Sequence, residues 1–220
     1  MKITILSGSG RYQDRWHDFT ATSVEVARAL RALTDDIAVR SLKPQGVRDV
    51  RDADLLVVNS GLGCYSEVAD GPEDEWAEAF ATLREYRARQ GPILALHAAA
   101  NSFDGLDEWP TWIGGRWNRS ASMHPPIAAA RVQVTDHRHP ITRGLTDFTL
   151  HDELYSYLDV DPESRVLLDH SYEGRDHALL WTVERDGARS VYDALGHDVR
   201  SFASVERVEL LSRAAAWLLR

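Results

Sequence analysis

The stretch Gly91-Pro92-Ile93-Leu94-Ala95-Leu96-His97-Ala98-Ala99-Ala100-Asn101 decides the fold. The apolar run from Ile93 to Leu96 follows a Gly-Pro turn. Its short, sharply bounded form predicts a buried parallel strand rather than a helix. His97 follows the run directly, and the small residues behind it predict a strand-to-helix elbow, which lifts one side chain above the carboxyl edge of a sheet. Because open α/β sheets bind their ligands at that edge, we expect His97 to face a ligand.

A loop region rich in tryptophan follows the elbow. It carries the pair Gly114-Gly115 and the segment His124-Pro125-Pro126, and its tryptophans are Trp109, Trp112 and Trp117. We expect this region to form a rigid, aromatic-walled cover over the elbow. Because prolines fix the backbone, His124 is held on a stiff segment, which suits a substrate contact and a structural brace equally well.

The rest of the chain predicts an α/β fold. Strands are expected at Lys2–Leu6, Ile37–Arg40 and Leu55–Asn59, with a helix capped by Thr20 or Ser23 and a second helix starting at Gly71-Pro72. This alternation predicts a mostly parallel sheet with helices on both faces. Later segments predict shorter strands, a hairpin and a last helix; they are Arg131–Thr135, Asp147–Leu150, Val166–Leu168, the hairpin Ala178–Val183 with Ser190–Ala194, and Val205–Leu219.

Composition sets limits on the class of protein. The chain of 220 residues suits one domain, residues 1–220, because nothing in it resembles a linker or a repeat. Its net charge of −9 argues against a general nucleic-acid binder, which needs a basic face. The single cysteine, Cys64, excludes an intrachain disulfide, and no apolar run approaches the ~20 residues of a membrane span. We therefore expect a cytoplasmic protein without a membrane partner, and the tryptophan-rich loop could serve a homo-oligomer interface.

Two further motifs indicate turns rather than sites. Gly8-Ser9-Gly10 follows the first strand, but the third glycine of a dinucleotide-binding loop is replaced by Gln13. The segment from Asp136 to Pro140 contains His137 and His139, a spacing that can chelate a metal but that usually caps turns in a loop. Neither motif therefore predicts a cofactor.

Several short motifs, taken in order and spacing, resemble the ThuA-like family, which is linked to trehalose utilisation. They are Leu96-His97-Ala98-Ala99, Trp112-Ile113-Gly114-Gly115-Arg116, His124-Pro125-Pro126-Ile127, Asp136 with His139-Pro140 and Gly144-Leu145, Asp152-Glu153-Leu154-Tyr155, and Ala194-Leu195-Gly196-His197. The resemblance spans nearly the whole chain. It implies a flavodoxin-like three-layer sandwich similar to class I glutamine amidotransferases, with His97 where that fold carries its nucleophilic cysteine.

The same resemblance excludes one activity. An imidazole ring does not replace a thiolate that forms an acyl-enzyme, so we expect no glutaminase activity. Cys64 follows the third expected strand rather than the elbow, which favours a free thiol without a catalytic role.

The candidate site combines the elbow with later residues. Gly196-His197 ends the strand at Ser190–Ala194, so His197 is expected at the same sheet edge as His97 if the two strands are parallel. Glu153 is the carboxylate chosen from the Asp152-Glu153 pair because the resemblance centres on an acidic residue before Leu-Tyr. His17 matches a pattern of the family weakly.

Three hypotheses follow for the function. In the first, which favours an enzyme, His97, His124, Glu153 and His197 perform acid/base chemistry on a carbohydrate such as trehalose, a related glycoside or a keto-sugar. Its substrate-binding residues are Trp112, Trp117, Tyr155 and His17, since aromatic rings cover the apolar faces of sugars. In the second, the same histidines and carboxylate hold a divalent metal such as Zn²⁺ for a hydrolase or lyase. In the third, the chain is a carbohydrate-binding or regulatory module without catalysis.

Overall fold

A large mixed sheet carries the candidate site. The chain's structure is a computed structural model that describes residues 1–63 and 70–220. In chain order the strands are β1 (Ile3–Ser7), β2 (Ile37–Ser41), β3 (Leu55–Asn59), β4 (Ile93–Leu96), β5 (Gly115–Arg116), β6 (Ala128–Val134), β7 (Phe148–Asp152), β8 (Asp159–Val160), β9 (Arg165–Tyr172), β10 (Arg175–Arg185) and β11 (Ala188–Asp193). The main sheet has nine strands in the order β2-β1-β3-β4-β11-β10-β9-β6-β7, while β5 and β8 pair separately.

The first half of this sheet is parallel. Strands β2, β1, β3, β4 and β11 pair in parallel along that order. Every residue of β1, β3 and β4 is buried, which is the expected pattern for parallel strands covered by helices on both faces. The predicted strand at Ile93–Leu96 is therefore confirmed, and it lies in the middle of the sheet.

The second half is an antiparallel extension. Strands β10 and β11 form the predicted hairpin, closed by Asp186 and Gly187, which both have positive φ (53° and 78°). Positive φ at both central residues is the geometry of a type I′ turn, and Asp-Gly is a favoured sequence for it. Strands β9, β6 and β7 continue the extension, all antiparallel. The sheet is thus parallel only as far as β11.

The helices cover the parallel half in two groups. They are α1 (Phe19–Leu30), α2 (Pro44–Arg48), α3 (Glu73–Ala88), α4 (Trp109–Ile113) and α5 (Val205–Leu218). Helices α1 and α5 contact each other and the strands beneath them, and α3 packs on α2. The helices expected from Gly71-Pro72 and from Val205 are confirmed. None of the helices in the described part of the chain is both long and apolar enough to cross a lipid bilayer.

One expected detail is wrong, and another takes a different form. Helix α1 is capped by Asp18, whose carboxylate accepts the amide of Ala21 at 2.9 Å, rather than by Thr20 or Ser23. Ser23 instead accepts a hydrogen bond from Asn59 inside the core. The helix that starts at the predicted elbow after β4 is a short 3₁₀ helix, His97–Asn101, and its alanines are buried.

Asp169 on β9 yields a prediction about stability. Its Oδ1 is buried and has no hydrogen-bond partner in the described residues. Burial, with the charges of Asp176 and Asp147, raises the pKa of Asp169 from 3.8 to about 6. The folded state therefore holds this proton more tightly than the unfolded chain, and ionisation destabilises the fold as pH rises from about 4 to about 6.

We expect Asp169→Asn, which removes this ionisation, to raise the melting temperature by about 2 °C above pH 6.5 and to change it little at pH 4. Thermal melts at both pH values measure the difference. A variant that is equally stabilised or destabilised at both would contradict the assignment.

Candidate functional site

The ends of β4 and β11 place two histidines at one edge of the sheet. Asp193, the last residue of β11, pairs in parallel with Leu96, the last residue of β4. His97 follows with φ of +46°, an uncommon backbone conformation for a non-glycine residue and one that re-aims its side chain at the strand end. The phenol of Tyr192 donates to the His97 carbonyl at 2.7 Å and fixes this turn.

His197 reaches the same edge through a glycine turn. Gly196 has φ of +111°, which β-branched and bulky residues rarely adopt. The fully buried Arg207 stabilises this turn. Its guanidinium pairs with Asp193 and donates to the Leu195 carbonyl at 3.0 Å. The predicted placement of His97 and His197 at one carboxyl edge is therefore confirmed.

Asp152 brings Glu153 to the same point from the antiparallel extension. Strand β6 pairs with β9 through only two residue pairs, so most of the β6–β7 pair is free to turn toward the end of β11. The buried Asp152 carboxylate accepts the amides of Glu153 (2.8 Å), Gly196 (2.8 Å) and His197 (3.1 Å), and the Ser201 hydroxyl (2.6 Å). One carboxylate thus connects the strand that carries Glu153 to the turn that carries His197.

The site centres on one oxygen of Glu153. The Glu153 Oε2 atom lies 3.2 Å from His197 Nδ1, 3.4 Å from His97 Nε2 and 4.0 Å from His17 Nε2. These four ligand atoms all lie within 4.8 Å of one another. All three ring nitrogens are buried, and none has a partner in hydrogen-bonding geometry among the described residues.

Two of the rings are held by their other nitrogen. His97 Nδ1 lies 2.6 Å from the Ala194 carbonyl, which can only accept, so Nδ1 carries the hydrogen. His17 Nδ1 lies 2.8 and 2.7 Å from the two oxygens of Asp14. The same Asp14 Oδ1 accepts the amides of Trp16 and His17 at 2.8 and 2.9 Å. In the neutral rings, both Nε2 atoms therefore present a lone pair to Glu153.

Charges inside the site are strongly coupled. Burial would raise the pKa of Glu153, but the close approach of the His197 and His97 rings lowers it well below the usual range. Burial would lower the pKa of His197, but Glu153 outweighs that effect and raises it. The pKa of His17 is lowered, chiefly by burial, despite the Asp14 carboxylate. Glu153 is therefore ionised at neutral pH, and His17 is neutral.

Aromatic side chains wall the cavity above this cluster. The cavity has a volume of about 430 Å³. Tyr155 stacks on the His97 ring at 4.2 Å between centroids, and Trp117 packs edge-on against Tyr155 at 4.7 Å. His124 is 41% exposed and approaches the other oxygen of Glu153, with Nδ1 3.1 Å from Oε1.

Most of the expected site residues meet here. His97, Glu153 and His197 form the cluster, while His124, Tyr155, Trp117 and His17 line the same cavity. His17, expected only as a substrate contact, is a member of the cluster itself. Trp112 lies elsewhere, on a second cavity beside Arg87 and Arg185. Cys64 lies outside the described residues.

Three residues of the site were missed from the sequence. Asp14 orients His17, Asp152 orients His197 and Glu153, and Trp16 lines the cavity with its side chain 55% exposed. The spacing of Asp14 to His17 is typical of a side chain that accepts backbone amides two and three residues ahead, and it was the available signal. The turn expected at Asp136–His139 is confirmed, since Asp136 accepts the His139 amide at 3.2 Å.

The fold is a glutamine amidotransferase-like α/β fold. A Thermoplasma acidophilum protein described as a GMP synthase subunit has this fold, with a TM-score of 0.58 and 14% identity over 99% of this chain and 95% of its own. A carbohydrate deacetylase, Agd3, matches with a TM-score of 0.57 and 9% identity over 97% of this chain and 32% of its own.

Within this class the chain belongs to the ThuA family. The family model, described as trehalose utilisation, matches residues 3–218. A ThuA-like protein from Parabacteroides merdae has a TM-score of 0.79 and 18% identity, covering 99% of this chain and 89% of its own. None of the curated proteins compared with this chain matches its sequence. Membership suggests a role in trehalose utilisation.

The Asp152 contacts generate a prediction. We expect Asp152→Asn to lower the free energy of unfolding by about 2 kcal/mol, because an amide nitrogen cannot accept the hydrogen bonds that one carboxylate oxygen now receives. Urea denaturation measures this change, with the exposed Asp104→Asn as control. Equal stability of the two variants would show that Asp152 does not hold the two segments together.

Proposed function

We propose that His17, His97, Glu153 and His197 bind one divalent metal ion and that the chain is a metal-dependent enzyme acting on a carbohydrate. The observation that carries this proposal is the set of three buried histidine nitrogens, each without a hydrogen-bond partner in the described chain, around one carboxylate oxygen. Buried polar atoms of this kind are costly unless something satisfies them.

The distances support a small cation with nitrogen and oxygen ligands. Ligands about 2.1 Å from a tetrahedral zinc ion lie about 3.4 Å from one another. His97 and His197 lie 3.4 and 3.2 Å from Glu153 Oε2, and His17 lies 4.0 Å away. Three imidazoles with one carboxylate suit zinc and similar transition metals, whereas magnesium and calcium prefer oxygen.

The contacts behind the ligands support the same proposal. Histidine ligands of metals usually donate their second nitrogen to a carboxylate or a carbonyl, which fixes the ring and its tautomer. His17 has Asp14 in this position, and His97 has the Ala194 carbonyl. Both rings are therefore pre-oriented with a free lone pair toward Glu153.

In this proposal the metal supplies Lewis-acid chemistry and His124 supplies proton transfer. A bound divalent metal would act as a Lewis acid toward a sugar oxygen or a water molecule. His124 contacts Glu153 Oε1 and is 41% exposed, so its ring can exchange a proton with solvent and pass it to a substrate. The segment Pro125-Pro126 restricts the backbone beside it. Tyr155 covers one face of the His97 ring, and Trp117 packs against Tyr155.

The proposed substrate class rests on the residues of the cavity walls and on the family description. Sugars present apolar C–H faces, which Trp117 and Tyr155 can cover, and polar hydroxyls, which the cluster can bind. The family description names trehalose utilisation. One protein with a similar fold is a carbohydrate deacetylase, which is compatible with carbohydrate chemistry on this framework.

A second candidate is acid/base catalysis on a sugar without a metal. The 3.2 Å approach of His197 Nδ1 to Glu153 and the raised pKa of His197 favour it, since they describe an imidazolium beside a carboxylate. The two candidates predict opposite protonation of His197, because a metal ligand must be neutral.

We expect the purified chain to bind one zinc ion per molecule, and we expect His17→Ala and Glu153→Gln to abolish this binding. Asp14→Asn should weaken the affinity about 10- to 100-fold, because it removes the carboxylate that orients His17. Titration calorimetry and elemental analysis give stoichiometry and affinity, with the exposed His137→Ala as control.

Trehalose incubated with the metal-loaded protein and followed by NMR tests the activity. Turnover that is lost on chelation and restored by metal supports the proposal. Wild-type protein that takes up no zinc, manganese, iron, cobalt or nickel would refute it.

Titration of His197 with and without zinc separates the two candidates, because only a metal ligand stays neutral. Glu153→Gln should lower the pKa of His197, since it removes the negative charge that favours the imidazolium. Ring-proton NMR titration with and without zinc follows this group. If His197 still titrates in the presence of saturating zinc, it is not a ligand and the metal-free candidate is favoured.

A further inference from the structure

Trp16 is the exposed aromatic residue beside the cluster. Its side chain is 55% exposed, yet it lines the same cavity as Glu153 and His197. An exposed indole on a cavity wall offers a large apolar face that the fold itself does not use. It is next in sequence to His17, whereas Trp117 lies beside Tyr155 and His124. The two indoles therefore line one cavity from two separate segments of the chain.

The Trp16 backbone is fixed by the same group that orients a cluster histidine. Asp14 Oδ1 accepts the Trp16 amide at 2.8 Å, and both Asp14 oxygens contact His17 Nδ1. The Arg15 guanidinium lies 5.0 Å from the Trp16 ring centroid, in cation–π contact with one face. The indole is thus positioned relative to the cluster although it is largely exposed.

The charge of the cavity wall restricts the ligand. Among the described residues, the cavity lining contains no lysine or arginine, while Asp14 and Glu153 contribute carboxylates. Phosphate groups are usually bound by arginine or lysine. The apolar part of the wall includes Leu62, Ala98 and Ile127. Arg15 lies against the Trp16 ring and is not part of this lining. The lining therefore favours an uncharged sugar over a sugar phosphate.

We infer that Trp16 forms an outer subsite that stacks on the second ring of an uncharged two-ring glycoside, while the first ring lies over the cluster beside Tyr155 and Trp117. The cavity volume of about 430 Å³ lies within the range of small-molecule sites. This inference rests on the proposed function for the position of the first ring. It makes Trp16 a residue that determines specificity for two-ring over one-ring sugars.

Binding of three sugars to the zinc-loaded protein tests the inference. The probes are trehalose, glucose and trehalose 6-phosphate, measured by titration calorimetry. For wild-type protein we expect trehalose to bind more tightly than either of the others. We expect Trp16→Ala to weaken trehalose binding about tenfold and glucose binding less than about twofold, because one stacking contact is lost. Trp16→Phe should restore most of the affinity.

Two controls separate this inference from the metal proposal. Zinc content should be unchanged in Trp16→Ala, so a sugar defect with full metal occupancy is specific to the subsite. Val205→Ala removes another exposed apolar side chain, away from the cavity, and should change no affinity. An unaltered trehalose affinity in Trp16→Ala, an equal loss for glucose, tighter binding of trehalose 6-phosphate, or no sugar binding by the wild type would each overturn the subsite, whatever the zinc content.

Discussion

The site depends on the hydrogen bonds that the buried Asp152 carboxylate accepts. A parallel sheet alone delivers His97 and His197 to one edge, but Glu153 directly follows β7, the last strand of an antiparallel extension. Asp152 accepts two amides from the Gly196-His197 turn and one from Glu153 itself. Hydrogen bonds to an ionised acceptor are stronger than neutral ones. These hydrogen bonds hold the end of β7, at one edge of the sheet, against the turn that follows β11 near its centre.

The elbow fixes the direction of the His97 side chain. The family resemblance places this residue where class I amidotransferases carry a cysteine, whose thiolate must be free to attack. Here the ring of His97 is held between the Ala194 carbonyl and Tyr155, and its remaining nitrogen points to Glu153. A side chain fixed in this way is suited to ligation or proton transfer. Strand β4 and the positive-φ turn at His97 set the direction of the side chain, and the chemical type of that side chain determines its reactivity.

The sequence predicted the parts of the site that local patterns encode. Short apolar strands ending in His97 and Gly196-His197 can be recognised because burial and turn chemistry are local. The role of Asp152 could not be recognised, since it depends on contacts across loops and on how the β6–β7 pair turns away from the sheet. Asp14 acts through local contacts to Trp16 and His17, for which its spacing was the available signal. His124 and Trp112 have similar local signals, yet only His124 contacts Glu153. Only the three-dimensional structure distinguishes the residue that reaches the cluster from the one that does not.

The electrostatics of the cluster favour an occupant that satisfies all its members at once. An ionised carboxylate as buried as Glu153 needs a compensating charge. Protonation of His197 supplies one, but the Nε2 atoms of His17 and His97 remain without partners among the described residues, at a cost of about 1–3 kcal/mol each. Protonating all three rings would place three positive charges within a few ångströms. A single divalent cation, as proposed for this cluster, would neutralise the carboxylate and accept all three lone pairs, and would therefore remove these penalties together.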